Sequence, residues 1–225
     1  LDADIYGPNV PRMLGLENER LNARADKVIP PLAYGVKAMS MGMILEPSQA
    51  LIWRGPMIIK TIEQFFVDVA WGELDALILD MPPGTGDAQL TLAQSVPVSA
   101  GVIVTTPQTV ALDDARRALD MFVKTHIPIA GIVENMSGFI CPNCGAKHDI
   151  FGKGACEELA REYGADTLAS IPIEPAIRKG GDGGKPIVYD QPSSETAKRY
   201  LQAADRLWAF LERAQGDNAE IQPVR

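Results

Sequence analysis

Short apolar runs alternate along this chain with segments of helical periodicity. Residues 76–79 (ALIL), 100–105 (AGVIVT) and 127–133 (IPIAGIV) are such runs, and residues 167–171 (TLASI) are a shorter one. A continuous apolar run bounded by turn residues is typical of a strand that is buried on both faces of a parallel sheet. We therefore predict an α/β fold with a mostly parallel sheet and helices on both faces.

Helical periodicity is clear in the segments between these runs. Residues 56–70 carry apolar residues three and four positions apart, and Pro56 suits the first turn of a helix. The same spacing, in shorter form, predicts helices over residues 88–94 and 153–163. Each predicted helix follows a predicted strand or precedes one, which is the order expected of right-handed crossover connections.

Two further helices carry recognisable start signals. Residues 110–124 are predicted to be helical with Thr109 as the N-cap, and residues 193–214 are predicted to be helical with Ser193 as the cap. The last helix is amphipathic. Its predicted packing face consists of Ala197, Tyr200, Leu201, Ala204, Leu207, Trp208 and Leu211.

Three segments interrupt the alternation. Residues 180–186 (GGDGGKP) are predicted to form a flexible loop, because its four glycines leave the backbone unrestrained. Residues 138–152 are predicted to form a loop insertion, and residues 215–225 a frayed tail. Neither an internal repeat nor a linker is found, so residues 1–225 are predicted to form a single domain.

Acidic residues stand where two extended segments end. Asp4 precedes a Gly-Pro loop, and Asp80 precedes the turn at residues 82–86 (PPGTG), which includes Gly84. The carboxyl ends of parallel strands are where open α/β sheets bind ligands, and glycines there expose backbone N–H groups to phosphate. Both acids could therefore face one phosphate site. The alternatives are that Asp2 and Asp4 are solvated loop residues and that Asp80 caps the next helix.

The cysteines offer a second kind of chemistry. Cys141 and Cys144 form a Cys-x-x-Cys pair in which Pro142 and Gly145 would shape a metal-binding turn. A closed metal site or cluster needs four ligands. Three alternatives remain open: Cys156 and His148 complete a zinc site, two subunits each donate a pair to one shared cluster, or the pair is a redox dithiol.

Composition excludes several classes of function. The chain carries 29 acidic and 21 basic residues, a formal net charge of −8, which disfavours nonspecific binding to nucleic acid and to anionic membranes. No apolar run approaches the ~20 residues that cross a bilayer. Its three cysteines do not fit a disulfide framework, so we expect a cytoplasmic protein.

Four stretches together resemble the Mrp/ApbC family of iron–sulfur cluster carrier ATPases, a MinD-like branch of the P-loop NTPases. They are LDADIYGPNVPRMLG, LILDMPPGTGDAQLTLAQ, GVIVTTPQTVALDDARRA and GIVENMSGFICPNCGAKHDIFGKG. The resemblance covers the chain to about Pro186. It implies a homodimer that binds ATP with Mg²⁺ in each subunit and a [4Fe–4S] cluster between the subunits. It also implies an iron–sulfur scaffold that supplies the cluster and apo-protein clients that receive it.

The resemblance further implies roles for residues at the nucleotide phosphates. Asp4 is similar to the acid that positions or activates the attacking water. Asp80 is similar to the Walker B acid near Mg²⁺, and Gly84 to the turn beside the γ-phosphate. Water attack on the phosphate would depend on positioning and charge stabilisation.

The remaining matched residues concern the base and the cluster. Asn135 is similar to the asparagine that contacts adenine, and Pro172 lies in the second base-contacting segment. Cys141 and Cys144 match the cluster ligands.

One expected element is absent from the sequence. The glycine-rich Walker A loop of the family should lie upstream of Leu1. We therefore expect an amino-terminal truncation and a sheet that lacks its first strand. We also expect that the 225-residue chain alone binds ATP poorly and hydrolyses it negligibly.

Two other functions remain as alternatives. The first is a MinD- or ParA-like positioning ATPase, which would need a basic amphipathic helix or a basic surface; residues 212–225 carry mixed charge. The second is a regulatory dimer held together by zinc at the cysteine pair.

Overall fold

The computed structural model describes residues 1–44, 55–84, 86–141 and 143–219. Thr85 of the predicted phosphate turn, Pro142 of the predicted metal-binding turn and residues 220–225 of the predicted tail lie outside the described residues. The chain divides into two compact units. The first comprises Leu1–Ser95 and Ala176–Asp190, and the second Val96–Pro175 and Gln191–Arg225. The expectation of a single domain stays a prediction.

The helices and strands are numbered in chain order. They are α1 (Val10–Met13), β1 (Asn22–Arg24), β2 (Lys27–Ile29), β3 (Leu32–Ala33), β4 (Val36–Lys37), a 3-10 helix (Met41–Met43), α2 (Gly55–Asp68), α3 (Asp87–Ser95), β5 (Gly101–Thr105), α4 (Thr109–Lys124), β6 (Ile129–Ile140), β7 (Lys147–His148), α5 (Ala155–Glu162), β8 (Thr167–Ile173), α6 (Pro175–Asp182), α7 (Ile187–Asp190) and α8 (Glu195–Ala219).

The first unit is built around α2, which packs against α3. The apolar stripe predicted for this helix is confirmed, since Ile58, Ile62, Phe65 and the following Val69 are all buried. Their spacing places them on one side of the helix, which is why a helix forms here and which face it buries. The strands β1 and β2 form one antiparallel hairpin, and β3 and β4 form another.

The apolar run at residues 76–79 does not form the doubly buried strand that we predicted. Ile78 is 74% exposed. The described residues show backbone pairing along one edge only, from Ala3 N to Asp80 O at 2.8 Å and from Asp80 N to Leu1 O at 2.9 Å. A strand becomes buried on both faces only when neighbouring strands and layers cover it, and local apolar character cannot supply these neighbours.

The prediction of a flexible glycine loop at residues 180–186 is also wrong. The first part of this segment belongs to α6. Gly184 has a positive φ of 67°, and a Cβ atom on it would lie 2.5 Å from Gly15 Cα. The Tyr34 hydroxyl donates a hydrogen bond to Gly184 O at 2.6 Å. Gly184 therefore allows a close backbone contact here instead of a loose loop.

The second unit contains the sheet that positions the cysteines. Strand β6 pairs in parallel with β5 and with β8, while its last residues pair antiparallel with β7. The helices α4 and α5 pack against this sheet around Ile103, Leu119, Ile132 and Leu159, all of which are buried. The α/β prediction is confirmed by this arrangement of strands and helices.

Two predicted helix starts are displaced by one residue. The N-cap of α4 is Gln108, so Thr109 is already helical. In α8 the cap is formed by Ser194, whose Oγ accepts a hydrogen bond from Ala197 N at 3.1 Å.

The packing face predicted for α8 is only partly correct. Ala197 is buried, but Leu201 and Trp208 are exposed. The helix continues to Ala219 and so includes the first residues of the predicted tail. Across the described ranges, the helices lack the combination of length and apolar character that a transmembrane span requires.

Candidate functional site

Three acidic residues of the first unit, Asp2, Asp4 and Asp80, lie on two extended segments that pair with each other. Asp2 forms parallel backbone bridges with both Asp80 and Ser40, and Asp4 follows two residues later on the same extended segment. The two acids predicted from the sequence, Asp4 and Asp80, therefore lie near the ends of neighbouring extended segments. Desolvation raises the pKa of Asp80, and the nearby charge of Asp4 raises it further.

The Asp4 carboxylate is oriented by its own loop. Its Oδ1 accepts hydrogen bonds from Tyr6 N at 3.2 Å and from Gly7 N at 3.0 Å. A Cβ atom on Gly7 would lie 3.2 Å from Asp4 Oδ2, so a larger residue at this position would crowd the carboxylate. One oxygen of Asp4 is thus fixed by backbone donors, which sets the direction of the other.

This pair of acids fits a divalent cation of the kind that accompanies nucleotides. Two carboxylates that repel each other favour a cation between them. Mg²⁺ in nucleotide sites uses one or two carboxylates together with water and phosphate oxygens, and does not need an all-protein cage. The described residues contain no group of three or more His, Cys, Asp or Glu able to hold a metal ion, so Mg²⁺ at this pair would need water and phosphate oxygens as its other ligands.

The turn after Asp80 is braced by a residue that sequence analysis missed. Gln89 of α3 is 8% exposed, and its Nε2 donates a hydrogen bond to Pro83 O at 2.7 Å. Gly84 has a positive φ of 98°, and a Cβ atom on it would meet the Gln89 amide at 3.8 Å. The predicted phosphate turn is therefore held against the first turn of the helix that follows it.

The cysteine pair lies at the tip of a hairpin. Strands β6 and β7 pair through Phe139 with His148 and through Ile140 with Lys147. The turn between them closes through Cys141 N to Ala146 O at 2.9 Å and Gly145 N to Cys141 O at 2.8 Å. The predicted loop insertion is thus in part an ordered hairpin that presents two thiols.

The chemistry of this turn favours a thiolate. The backbone N–H groups of Asn143 and Cys144 donate to the Cys141 sulfur and lower its pKa. Cys144 is exposed, and Cys141 is partly exposed. The thiolate is the form of cysteine that binds metals.

The third cysteine is not part of this site. Cys156 of α5 is fully buried. Burial raises the pKa of its thiol to about 12, and an interaction with Glu134 is the second cause. His148 lies beside the ring of Phe139. The hypothesis that Cys156 and His148 complete a zinc site within one chain is therefore not supported over the described residues, where no group of three such ligands occurs.

Asn135 and Pro172 lie side by side in the second unit. Asn135 pairs with Ile171 in the parallel register of β6 and β8, and Pro172 is the next residue of β8. The side-chain oxygen of Asn135 accepts a hydrogen bond from Met136 N at 3.0 Å, while Met136 has a positive φ of 55°. The structure thus brings together the two residues predicted to contact the base.

Comparison with known proteins identifies the family. A family model described as the ParA-type NUBPL iron-transfer P-loop NTPase matches residues 1–208. The chain belongs to this NUBPL iron-transfer P-loop NTPase family. The resemblance stated from the sequence motifs is confirmed.

Several relatives of this NUBPL-family chain have names that describe iron–sulfur transfer. The iron–sulfur cluster carrier protein of Helicobacter pylori is 54% identical over 231 residues, which cover 100% of this chain and 63% of that protein. The carrier protein of Escherichia coli is 47% identical over 94% of this chain and 58% of its own length. The mouse iron–sulfur cluster transfer protein NUBPL is 44% identical over 92% of this chain and 65% of its own length. The chain therefore spans about three-fifths of the length of these relatives.

Solved structures confirm the fold. A nucleotide-binding protein from Archaeoglobus fulgidus, in complex with ADP, has a TM-score of 0.74 and 37% identity over 88% of this chain and 76% of that chain. The cell division ATPase MinD of Pyrococcus furiosus has a TM-score of 0.58 and 18% identity over 92% of this chain and 84% of its own. The second likeness shows the MinD-like P-loop NTPase fold alone.

The predicted site residues of this NUBPL-family chain fall into two groups. Asp4, Asp80 and Gly84 belong to the first unit; Asn135, Pro172 and the cysteine pair belong to the second.

Asp2, Gln89 and Glu134 are among the buried polar residues that sequence analysis missed. For Asp2 the available signal was the repeated acid in Asp-Ala-Asp. The other two carry no local signal, because their partners lie on other elements.

Proposed function

We propose that the full-length protein is an ATP-dependent carrier of iron–sulfur clusters. In this proposal it works as a homodimer that holds one [4Fe–4S] cluster between subunits, receives it from an iron–sulfur scaffold and transfers it to apo-protein clients. The family membership and the names of the relatives support the carrier role. The three thiols of the chain are unpaired, which agrees with the reducing environment of the cytosol, where we place the protein.

The observation that carries the proposal is an incomplete ligand set. Cys141 and Cys144 are accessible at a hairpin tip, and the described residues bring no third ligand to them. A cubane cluster is held by four thiolates. Two hairpins from two copies of the chain would supply four, so a shared cluster explains why one chain carries two.

The first unit supplies the groups for ATP hydrolysis. We assign Asp4 to orient the water that attacks the γ-phosphate, because its carboxylate is fixed by two backbone donors. Asp80 would hold Mg²⁺ through water, and Mg²⁺ when bound would neutralise charge on the phosphate oxygens. Gly84 would leave room for the backbone to approach the terminal phosphate.

The second unit would recognise the base. Asn135 pairs with Ile171 at the point where the regular parallel register of β6 and β8 is interrupted, and Pro172 is the next residue of β8; open α/β sheets bind ligands where parallel strands end. The amide of Asn135 can pair with the polar edge of adenine, and Pro172 offers an apolar contact.

Anaerobic reconstitution with iron and sulfide tests the cluster assignment. We expect a broad absorption near ~400 nm, which is typical of thiolate-bound clusters, about two irons per chain, and a dimer in analytical ultracentrifugation. The variants Cys141→Ser and Cys144→Ser should lose all three signals. The matched control is Cys156→Ala, which removes the third thiol and should keep them.

Two results would contradict the carrier proposal. One is stoichiometric zinc with no uptake of iron, which would favour the zinc-held regulatory dimer. The other is a cluster that forms normally but never passes to an apo-ferredoxin with or without ATP.

A further inference from the structure

The carboxylate of Asp2 is almost completely buried. The residue is 2% exposed, and burial raises the pKa of its side chain. A buried carboxylate is stable only when hydrogen bonds replace its lost water. The hydrogen-bond donors around Asp2 therefore show which parts of the chain this residue holds in place.

Three donors from three segments converge on Asp2. The Ser40 hydroxyl, itself fully buried, donates to Oδ2 at 2.9 Å. The Asp4 backbone N–H donates to Oδ1 at 3.1 Å, and the Val10 backbone N–H lies near enough to lower the pKa of the carboxyl group. Ser40 is fixed in turn, because its Oγ accepts a hydrogen bond from Gly42 N at 3.1 Å.

These bonds close a loop. Asp4 and Val10 stand at the two ends of residues 4–10, so one buried carboxylate binds the first end of this loop and interacts with the N–H group at the second. The loop contains the backbone donors Tyr6 N and Gly7 N that orient the Asp4 carboxylate. Any change at Asp2 would therefore reach Asp4 through the backbone.

We propose that Asp2 is a positioning residue for ATP hydrolysis, which acts by holding the Asp4 loop; this inference rests on the function proposed above. Asp2 does not touch the reacting atoms, because its side chain is buried and its oxygens are already engaged by donors. Ser40 belongs to the same device, since it holds the second oxygen of Asp2.

The test compares three variants in the full-length protein. Asp2→Ala removes the acceptors, and it should lower kcat about tenfold or more while KM for ATP changes by less than about twofold, since misplacement of a catalytic group costs rate. Asp2→Asn keeps one acceptor oxygen for the backbone N–H groups and can donate to Ser40, so kcat should stay within about threefold of wild type. Ser40→Ala should lower kcat about threefold with KM unchanged.

The comparison of alanine with asparagine separates positioning from charge. If Asp2 acted directly through its charge, the neutral Asp2→Asn would be as inactive as Asp4→Ala. That result would overturn the inference, as would Asp2→Ala with wild-type kcat, or a raised KM with unchanged kcat. The matched control is Asp75→Asn, the same change at an exposed acid of the same unit.

Two further outcomes are separable. If Asp4→Ala and Asp80→Ala both retain full hydrolysis, the proposed site itself is wrong, whatever Asp2 does. The second outcome is that Asp4→Ala and Asp80→Ala abolish hydrolysis, while Asp2→Ala, Asp2→Asn and Ser40→Ala all keep the kcat and KM of wild type. In that case only the Asp2 inference fails. Should circular dichroism show that Asp2→Ala is unfolded, Ser40→Ala decides: a wild-type kcat there overturns the inference.

Discussion

Burial of acids is the feature that links the important single residues of this protein. Asp2 and Glu134 are buried, and desolvation raises the pKa of each, as it does for Asp80. An acid whose folded pKa lies above its unfolded value binds more protons in the folded state between those two values. The free energy of unfolding therefore falls as pH rises through that interval.

Glu134 gives a direct test of this pH dependence. In wild type, stability should fall as pH rises above 4.5, the ordinary pKa of a glutamate. In Glu134→Gln this pH-dependent loss should disappear. The glutamine oxygen can still accept the hydrogen bond from Cys156. Urea unfolding at several pH values should therefore show wild type losing stability relative to Glu134→Gln as pH rises, by about 1.4 kcal/mol for each unit of pKa shift. Parallel stability curves would contradict the prediction.

Gly184 gives a second residue-scale prediction. Gly184→Ala combines a positive φ with a Cβ that would lie 2.5 Å from Gly15 Cα, so it should lower the free energy of unfolding by about 3 kcal/mol or more. The control is Gly35→Ala in the same unit, where φ is 78° but nothing lies within 4 Å. It should cost only about 1 kcal/mol. Equal losses in urea denaturation would show that the close contact is unimportant.

At the scale of elements, the hairpin of β6 and β7 leaves two thiols accessible, whereas the thiol on helix α5 is buried. Iodoacetamide at neutral pH should label Cys141 and Cys144 of the native metal-free protein and should label Cys156 only after unfolding. The reason is that Cys156 is fully buried and its pKa is raised to about 12, whereas backbone N–H groups lower the pKa of Cys141. Peptide mass spectrometry measures the labels, and equal rates for all three would refute the hairpin geometry.

Helix α8 protects the adjacent strand through arginines. Arg199 donates to Ser170 O at 2.6 Å, and Arg206 donates to Thr167 O at 2.8 Å and Leu168 O at 3.1 Å. These guanidinium groups satisfy backbone carbonyls of β8 and cover this part of the strand against pairing with another chain.

The double variant Arg199→Ala/Arg206→Ala should therefore be less stable by about 2 kcal/mol and should aggregate more readily. Urea unfolding and light scattering measure the two effects. Arg213→Ala is the control, since it removes an exposed arginine from the same helix. If it scatters light as strongly as the double variant, loss of charge and not loss of edge protection is the cause.

At the scale of the whole molecule, the proposed dimer can be tested by mixing. Wild type is allowed to exchange subunits with an excess of the Cys141→Ser/Cys144→Ser variant before reconstitution. Mixed dimers would offer two thiols instead of four, so iron bound per wild-type chain should fall as the variant is increased. An excess of Cys156→Ala should not lower it. Iron content that is independent of the mixing ratio would contradict a shared cluster.

Local pattern was sufficient for much of this architecture. Strand β5 and helices α2 and α4 appear close to their predicted ends, because their apolar periodicity coincides with what they bury. Asn135 and Pro172 were singled out only by the family resemblance, and the pairing of β6 with β8 brings them together. The hairpin thiols could be found from spacing alone.

Other features depend on contacts that no local pattern encodes. Asp2 gains its importance from Ser40, 38 positions away, and Gly184 from Gly15. The run at residues 76–79 has the composition of a buried strand, yet Ile78 is largely exposed because burial depends on neighbours that cover both faces.

Strand β6 carries Asn135 and, one residue beyond its end, Cys141. Side chains alternate along a strand, so deleting one residue between these two positions would turn the thiols toward the opposite side. Met136 and Gly138, which both have a positive φ, already interrupt the regular alternation between these two positions. If Asn135 contacts the base and Cys141 binds the cluster as proposed, the number of residues between them matters as much as their identity.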